Sequence, residues 1–422
     1  MRVLSVAEKP SVAKELSRIM NGGREPRSRR GISPYNHNFD VSDVELGAGQ
    51  GQRGQRGSMV VTSVSGHMME INFDDSHKQW NSCSPVALFS APIIKYVRMD
   101  GQNRDNVAKN LRAEAANCTV LLLWLDCDTE GENIAYEVIQ VCCEANPRLQ
   151  VLRARFSALT ERDVFRALRN PDRPNPHMND AVDARQEVDL RLGAAFTRFQ
   201  TMRYQKKFDE LRHRTLSYGP CQFPTLGFIV DRYDEINDFL SDDFWSLHLE
   251  YQVPDPTPER PDNSLLVQFK WARDRIYDRL GCLLLFEPCI DQLATVVQCD
   301  SRPKTKSRPV PLNTVELQKC ASRYLHMDSQ RTLDVAEALY QKGILSYPRT
   351  ETNYFQDSIP VRELVEAHVG HDGWGAYTQR LIGGGEFQWP LNGNQNDQAH
   401  PPIHPTQCVS LQSLESDEHR KV

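Results

Sequence analysis

Residues 120–125, Val-Leu-Leu-Leu-Trp-Leu, form an unbroken apolar run that ends directly on Asp-Cys-Asp-Thr-Glu-Gly-Glu (126–132). A strand with one wet face alternates polar and apolar residues, so a run of this length without alternation belongs to a strand covered on both faces. That requirement favours a parallel sheet between helical layers. The surrounding pattern agrees. Val3–Ala7 reads as a short apolar strand, Ser11–Met20 as a helix stopped at Asn21-Gly22-Gly23, Met59–Val64 as a strand, and Glu132–Glu144 as a helix. Residues 1 to about 155 are therefore expected to be α/β with a mainly parallel sheet.

In such sheets ligand sites lie at the carboxyl ends of strands. The acidic stretch stands at that end. Asp126, Asp128 and Glu130 alternate, so in extended geometry they share one face. Three convergent carboxylates repel one another unless a cation sits among them. Mg²⁺, which takes oxygen ligands from carboxylates and phosphate, is the natural one. The competing explanation is an acidic loop that caps the following helix; its place after a buried strand favours the metal. Glu8, in Ala-Glu-Lys-Pro-Ser, ends the first strand and can converge on the same place. On local pattern alone it is an ordinary residue at a helix start before Pro10.

With 422 residues, the chain is expected to form two to four structural units. Residues 156–235 read as helical, with Ala181–Gln205 carrying apolar residues at helical spacing between many arginines. Residues 240–300 alternate polar and apolar and read as β, Thr314–Gln341 as helical, and the tail from Asn392 as polar and Pro-rich. No internal repeat is found. Residues 47–57, Gly-Ala-Gly-Gln-Gly-Gln-Arg-Gly-Gln-Arg-Gly, read as a flexible loop, not a phosphate cradle, because no Gly-Lys-Ser/Thr follows.

The net charge of −6 argues mildly against a nucleic-acid partner. Local basic runs at Arg24–Arg30, Arg198–Arg214 and Arg302–Arg308 argue the other way, since a groove can be basic on an acidic chain. The eleven cysteines contain no Cys-x-x-Cys pair, which points to reduced thiols in a cytosolic or nuclear compartment and to no zinc site. No apolar run has membrane-spanning length, and the opening Met-Arg-Val-Leu-Ser-Val-Ala reads as a strand instead of a signal or transit segment.

The second half contains Gly-Ile-Leu-Ser-Tyr-Pro-Arg-Thr-Glu-Thr (343–352). A lone tyrosine such as Tyr347 is usually a packing residue. Here Arg349 lies two residues on and in an extended segment shares its face. A guanidinium there can fork onto a phosphate and lower the cost of phenolate character. Pro348 stiffens the backbone between them.

Val-Ala-Glu-Lys-Pro-Ser, Thr-Ser-Val-Ser-Gly-His (62–67) and Asp-x-Asp-x-Glu-Gly-Glu together resemble the Toprim domain of type IA topoisomerases. The tyrosine segment resembles the active-site motif of topoisomerase III. Ala-Arg-Phe-Ser-Ala-Leu-Thr (154–160), Asp-Ala-Val-Asp-Ala-Arg-Gln-Glu-Val-Asp-Leu-Arg-Leu-Gly-Ala-Ala-Phe-Thr-Arg (180–198), Ser-Tyr-Gly-Pro-Cys-Gln-Phe-Pro-Thr-Leu-Gly (217–227) and Asp-Gln-Ala-His-Pro-Pro-Ile-His-Pro-Thr (397–406) follow in the family order. The resemblance spans the chain and is strongest to the eukaryotic alpha form. It implies an α/β Toprim domain at 1–155, the first part of a helical DNA-binding base at 156–238, the first part of a β-rich arch at 239–310, and a helical domain with the active-site tyrosine at 311–422.

The resemblance further implies that Glu8, Asp126, Asp128 and Glu130 hold Mg²⁺, that Lys9, Arg349 and His400 contact the scissile phosphate, and that Tyr347 is the nucleophile. Arg185 and Asp189 would line the DNA-binding side. Ser217, Tyr218, Gly219, Pro220, Cys221 and Gln222 would form part of a strand that holds single-stranded DNA. His404 is a weaker candidate near His400. The implied reaction is ATP-independent cleavage of one strand through a 5′-phosphotyrosine, passage of a second strand and religation, with Glu8 as proton donor to the leaving oxygen. Implied partners are single-stranded DNA, a RecQ-type helicase and OB-fold proteins, in a nuclear setting and without a membrane. Family members continue well past residue 422, so the core is expected to be incomplete. That leaves a non-catalytic DNA-binding or partner-binding product as an alternative. Use of the Toprim half alone, as in primases and some nucleases, is disfavoured by Tyr347.

Overall fold

The computed structural model describes residues 1–33, 36–47, 54–98, 104–254, 264–357 and 359–422. The chain divides into two compact units, Met1–Pro220 with Ser307–Val422, and Cys221–Lys306.

In the first unit, strand β1 (Arg2–Ala7) runs into helix α1 (Pro10–Met20). Pro10 sits in the first helical turn, where a missing N–H costs nothing. Strands β2 (Arg27–Arg30), β3 (His37–Leu46) and β4 (Gln55–Ser63) follow. Next come β5 (Met69–Phe73), a single helical turn α2 (Asp75–Lys78), and β6 (Ile93–Val97), which pairs antiparallel with β5. Helix α3 (Arg104–Ala115), strand β7 (Val120–Trp124), helix α4 (Thr129–Ala145) and strand β8 (Gln150–Arg153) complete the α/β part. The main sheet has the order β2-β3-β4-β1-β7-β8. Strands β4, β1, β7 and β8 are mutually parallel, and β3 and β2 add an antiparallel edge.

Helix α5 (Glu161–Arg169) leads to the 29-residue helix α6 (Pro176–Tyr204), which contains nearly all of the expected helical stretch 181–205. The sheet is sandwiched. Leu122 and Trp124 of β7 pack into a core shared with α1 and α5, while Leu121, Leu123 and the following Leu125 pack with α3 and α4. This two-sided burial is why residues 120–125 show no alternation.

Most of the loop expected at 47–57 lies outside the described residues. Of its remainder, Gln55–Gly57 belong to β4 and pair with Val44–Leu46, because ladder hydrogen bonds use the backbone and not the Gln/Arg side chains.

The second unit holds helix α7 (Gln222–Asn237), an antiparallel pair β9 (His248–Pro254) and β10 (Ser264–Lys270), and helix α8 (Arg279–Phe286). The β expectation for 240–300 is met only by that pair. Asp278 caps α8 by accepting the N–H groups of Leu280 and Gly281. Residues 292–310 are exposed throughout and have no regular structure.

Returning to the first unit, helices α9 (Thr314–Cys320) and α10 (Ser329–Gln341) occupy the expected helical stretch 314–341, with a break between them. Short helices α11 (Val361–Glu366), α12 (Gly375–Gly383) and α13 (Asp417–Lys421) follow. All eleven cysteines are free thiols. Among the described residues no helix is long and apolar enough to cross a membrane.

Candidate active site

Parallel pairing of β1 with β7 sets Ala7 beside Trp124, so Glu8 and Asp126 leave the sheet at the same end. Glu8 Oε2 accepts the Asp126 N–H at 3.2 Å. Asp128 is the N-cap of α4, its Oδ1 accepting the Gly131 N–H at 2.7 Å. This turn requires glycine at 131, because a Cβ there would lie 2.1 Å from the Asp126 carbonyl oxygen. Arg153 is fully buried at the end of β8 and braces the turn. It donates to the carbonyls of Asp126 (2.7 Å) and Leu123 (3.2 Å) and pairs with buried Glu132 at 3.0 Å. Glu132 also accepts the Asn175 N–H, so both buried charges are matched by hydrogen bonds.

Burial raises the carboxyl of Asp126 to about 7, with the charge of Glu8 next in importance. Burial likewise raises Glu8, and Asp128 adds to the effect.

Glu130 departs from expectation. Extended geometry ends at Asp128 because α4 starts at Thr129, so the strand alternation expected to align Glu130 with Asp126 and Asp128 does not reach it. Its carboxylate pairs with Arg185 Nη2 at 2.5 Å and with His67 Nε2 at 3.0 Å. The other ring nitrogen of His67 lies 3.0 Å from Glu137, which also accepts the N–H groups of Met68 and Met69. Glu137 is the main cause of the raised His67 pKa.

The tyrosine arrives from the far half of the chain. Helix α10 ends in a Schellman turn: Ile344 N–H donates to Leu339 O and Gly343 N–H to Tyr340 O, with Gly343 at φ 69°. The chain then runs along residues 402–406. Ser346 N–H donates to His404 O, and Leu345 bridges Pro405. This brings Tyr347 into the core around the sheet, where it is 3% exposed. Its hydroxyl donates to Asp128 Oδ2 at 2.5 Å. Burial, followed by the charges of Asp126 and Asp128, pushes its pKa well above the usual phenol value.

Tyr340, 2% exposed on α10, packs edge-on against Tyr347 and donates to Asp126 Oδ1 at 3.2 Å. The ring of His400, 5% exposed, lies 4.3 Å from that of Tyr347, centroid to centroid. Asp397 anchors the His400 segment by accepting the N–H groups of Ala399 and His400 and the Thr350 hydroxyl. Burial alone would raise Asp397, but the hydrogen bonds from His400, Ala399 and Thr350 hold it below the usual carboxylate range. His404 is engaged elsewhere, with Nδ1 2.6 Å from the Pro402 carbonyl and its ring edge-on to Phe355.

Arg349 and Lys9 both meet Glu337 of α10. Arg349 Nε donates to it at 2.7 Å, and Lys9 Nζ lies 3.5 Å from its second oxygen. Tyr340, Glu337, Arg153, His67 and Asp397 join the site without being candidates on sequence pattern. His67 closes the motif 62–67 and Asp397 opens the motif 397–406, with Ala399 and His400 as near partners; Tyr340, Glu337 and Arg153 carry no local signal, since their roles come from partners distant in the chain.

Arg185 and Asp189 stand one turn apart on α6 and pair with each other at 3.5 Å. Ser217 to Cys221 do not form the expected strand. They are irregular, and Gln222 opens α7, whose third residue, Pro224, needs no N–H partner in a first turn. The Tyr218 ring lies tilted against that of Phe196, 4.7 Å between centroids, and its N–H donates to the Thr197 hydroxyl.

Among the described residues no three acidic, His or Cys side chains stand ready as a metal cage. Asp126 and Asp128, with Glu8 alongside, nevertheless suit a divalent cation. A divalent cation is commonly held by one or two carboxylates completed by a phosphate, and it would offset the burial, and the lesser mutual repulsion, that raise Glu8 and Asp126.

Comparison with known proteins agrees with this geometry. The Toprim domain model, of a family known for binding divalent metal, matches residues 3–159, and the DNA topoisomerase model matches residues 173–422. The chain is 44% identical over 429 residues to DNA topoisomerase 3-alpha of Arabidopsis thaliana, covering all of this chain and 44% of that protein. It is 37% identical over 458 residues to DNA topoisomerase 3 of Saccharomyces cerevisiae, covering all of this chain and 68% of that protein. The chain thus spans less than half the length of some relatives. A full-length topoisomerase I structure from Thermotoga maritima aligns with 99% of this chain and 58% of its own at a TM-score of 0.62 and 19% identity, which establishes a shared fold. Nothing in these matches favours a non-catalytic product. With a Toprim sheet, a buried tyrosine seated on its acidic end and relatives of this kind, the chain belongs to the type IA DNA topoisomerases, in the topoisomerase 3 group.

Proposed function

We propose that this chain carries the strand-cleaving and rejoining centre of an ATP-independent topoisomerase acting on single-stranded DNA. The observation that carries the reading is the hydrogen bond from the Tyr347 hydroxyl to Asp128 Oδ2, which joins the two halves of the site across 219 residues. Tyr347 attacks a phosphodiester and becomes the 5′-phosphotyrosine, while the 3′-oxygen leaves and takes a proton from Glu8. One ester replaces another, so no ATP is required. Asp128 is placed to take the phenol proton. Arg349, Lys9 and His400 stabilise charge on the phosphoryl oxygens. Mg²⁺, held by Asp126 and Asp128 with Glu8 nearby, would supply positive charge that positions the broken ends for rejoining.

DNA approaches along α6, with Arg185 and Asp189, and along Ser217–Gln222, with single-strand preference arising from base stacking and basic side chains. The division into Toprim domain (1–155), helical base (156–238), arch segment (239–310) and tyrosine domain (311–422) belongs to the same proposal. So do negative-supercoil relaxation, work on recombination and replication intermediates, nuclear location, and partnership with a RecQ-type helicase and OB-fold proteins.

The test is a trap for the covalent intermediate. A labelled single-stranded oligonucleotide incubated with the chain and Mg²⁺ should yield an adduct that survives denaturation. Tyr347→Phe should abolish the adduct and keep oligonucleotide binding within about twofold, since it removes one buried hydroxyl and leaves the proposed DNA-contacting side chains of α6 and residues 217–222 in place. An adduct in the Phe variant would refute the assignment.

A further inference from the structure

Lys9, the N-cap residue of α1, and Arg349, two residues past the nucleophile, come from opposite halves of the chain yet share one anion. Arg349 brings Nε to 2.7 Å and Nη2 to 2.5 Å of Glu337 Oε1, and Lys9 Nζ stands 3.5 Å from Glu337 Oε2. The Glu337 side chain is 22% exposed, so this cluster is partly withdrawn from water. It lies one turn before Tyr340 on the same helix, hence on the side that faces the site. A carboxylate with a guanidinium on one oxygen and an ammonium on the other presents to these cations what the two free oxygens of a phosphodiester would present.

We propose that Glu337 is a positioning residue of this site. Its carboxylate keeps the phosphate's place between Lys9 and Arg349, holds both side chains in reach of Tyr347, and surrenders Arg349 when a phosphodiester of single-stranded DNA arrives. The inference rests on the reading of Lys9 and Arg349 as phosphate contacts. Its energetic content is a trade. The cations are ordered before substrate binds, but DNA has to displace an internal anion, so binding is weaker than two free cations would allow.

The test measures binding of a fluorescent single-stranded oligonucleotide to the full 422-residue chain across a range of salt concentrations. Glu337→Gln keeps the shape and removes the competing charge. It should bind about fivefold tighter at moderate salt, the worth of one partly exposed ion pair. Its salt dependence should steepen by about 0.7 in the log–log slope, as expected for one more phosphate neutralised on a single strand. Glu337→Ala should shift both quantities in the same direction. Asp334→Asn, the same charge change at an exposed position one turn earlier on α10, should shift neither. If Glu337→Gln binds equally or more weakly with an unchanged slope, Glu337 does not compete with phosphate and the inference falls alone. If the unaltered chain binds no single-stranded DNA, the proposed function falls and takes this inference with it.

Discussion

At the scale of single residues, the site is built by close approach and by matched charge. Gly131 lets the turn after Asp128 pass over the Asp126 carbonyl; a methyl group would be 2.1 Å from that oxygen. Gly131→Ala must therefore push Asp126 and Asp128 apart. Overpacking of this kind costs about 1–3 kcal/mol. We expect that loss in chemical denaturation, together with loss of the covalent adduct, because the Tyr347 hydroxyl depends on where Asp128 stands. Arg153 and Glu132 impose a second constraint. Both are fully buried, so Glu132→Gln leaves a buried guanidinium short of its counter-charge, at a cost of about 3–5 kcal/mol. A denaturation midpoint within error of the unaltered chain would show that the pair is not needed.

At the scale of elements, what could be read from the sequence follows from how local each signal is. Strand β7 declares itself because residues 120–125 are buried on both faces, and the acids declare themselves because they follow it without a gap. Tyr347 stands out through ten contiguous residues. The alternation of residues 126, 128 and 130 holds only as far as Asp128, because α4 begins at Thr129 and Glu130 pairs with Arg185 and His67. Glu337 and Tyr340 were not legible. Along α10 they look like one more charge and one more packing residue; only docking onto the sheet gives them Lys9 and Asp126 as partners. Between residues 240 and 300 the apolar run of α8 broke the β pattern that the flanking segments carried.

At the scale of the molecule, the chain consists of one discontinuous unit and one excursion, Cys221–Lys306, inserted between its halves. The return path, 292–310, is exposed and irregular and carries Arg302, Lys304, Lys306 and Arg308. Arg302 and Arg308 precede prolines, which protects their bonds from trypsin. We expect limited trypsin digestion to cut first after Lys304 and Lys306, as read by intact-mass spectrometry, while the Toprim segment survives. First cuts within 1–159 would contradict this division of stability.

The discontinuity also has a consequence for biosynthesis. The acidic end of the sheet is encoded before residue 159, and Tyr347, which is seated on it, is encoded almost two hundred residues later. At about 5–20 residues per second, the ribosome releases the first half roughly 10–40 seconds before the second can reach it. During that interval the nascent sheet has its carboxylates but no tyrosine, so under the proposed function a half-made chain has no means of breaking DNA.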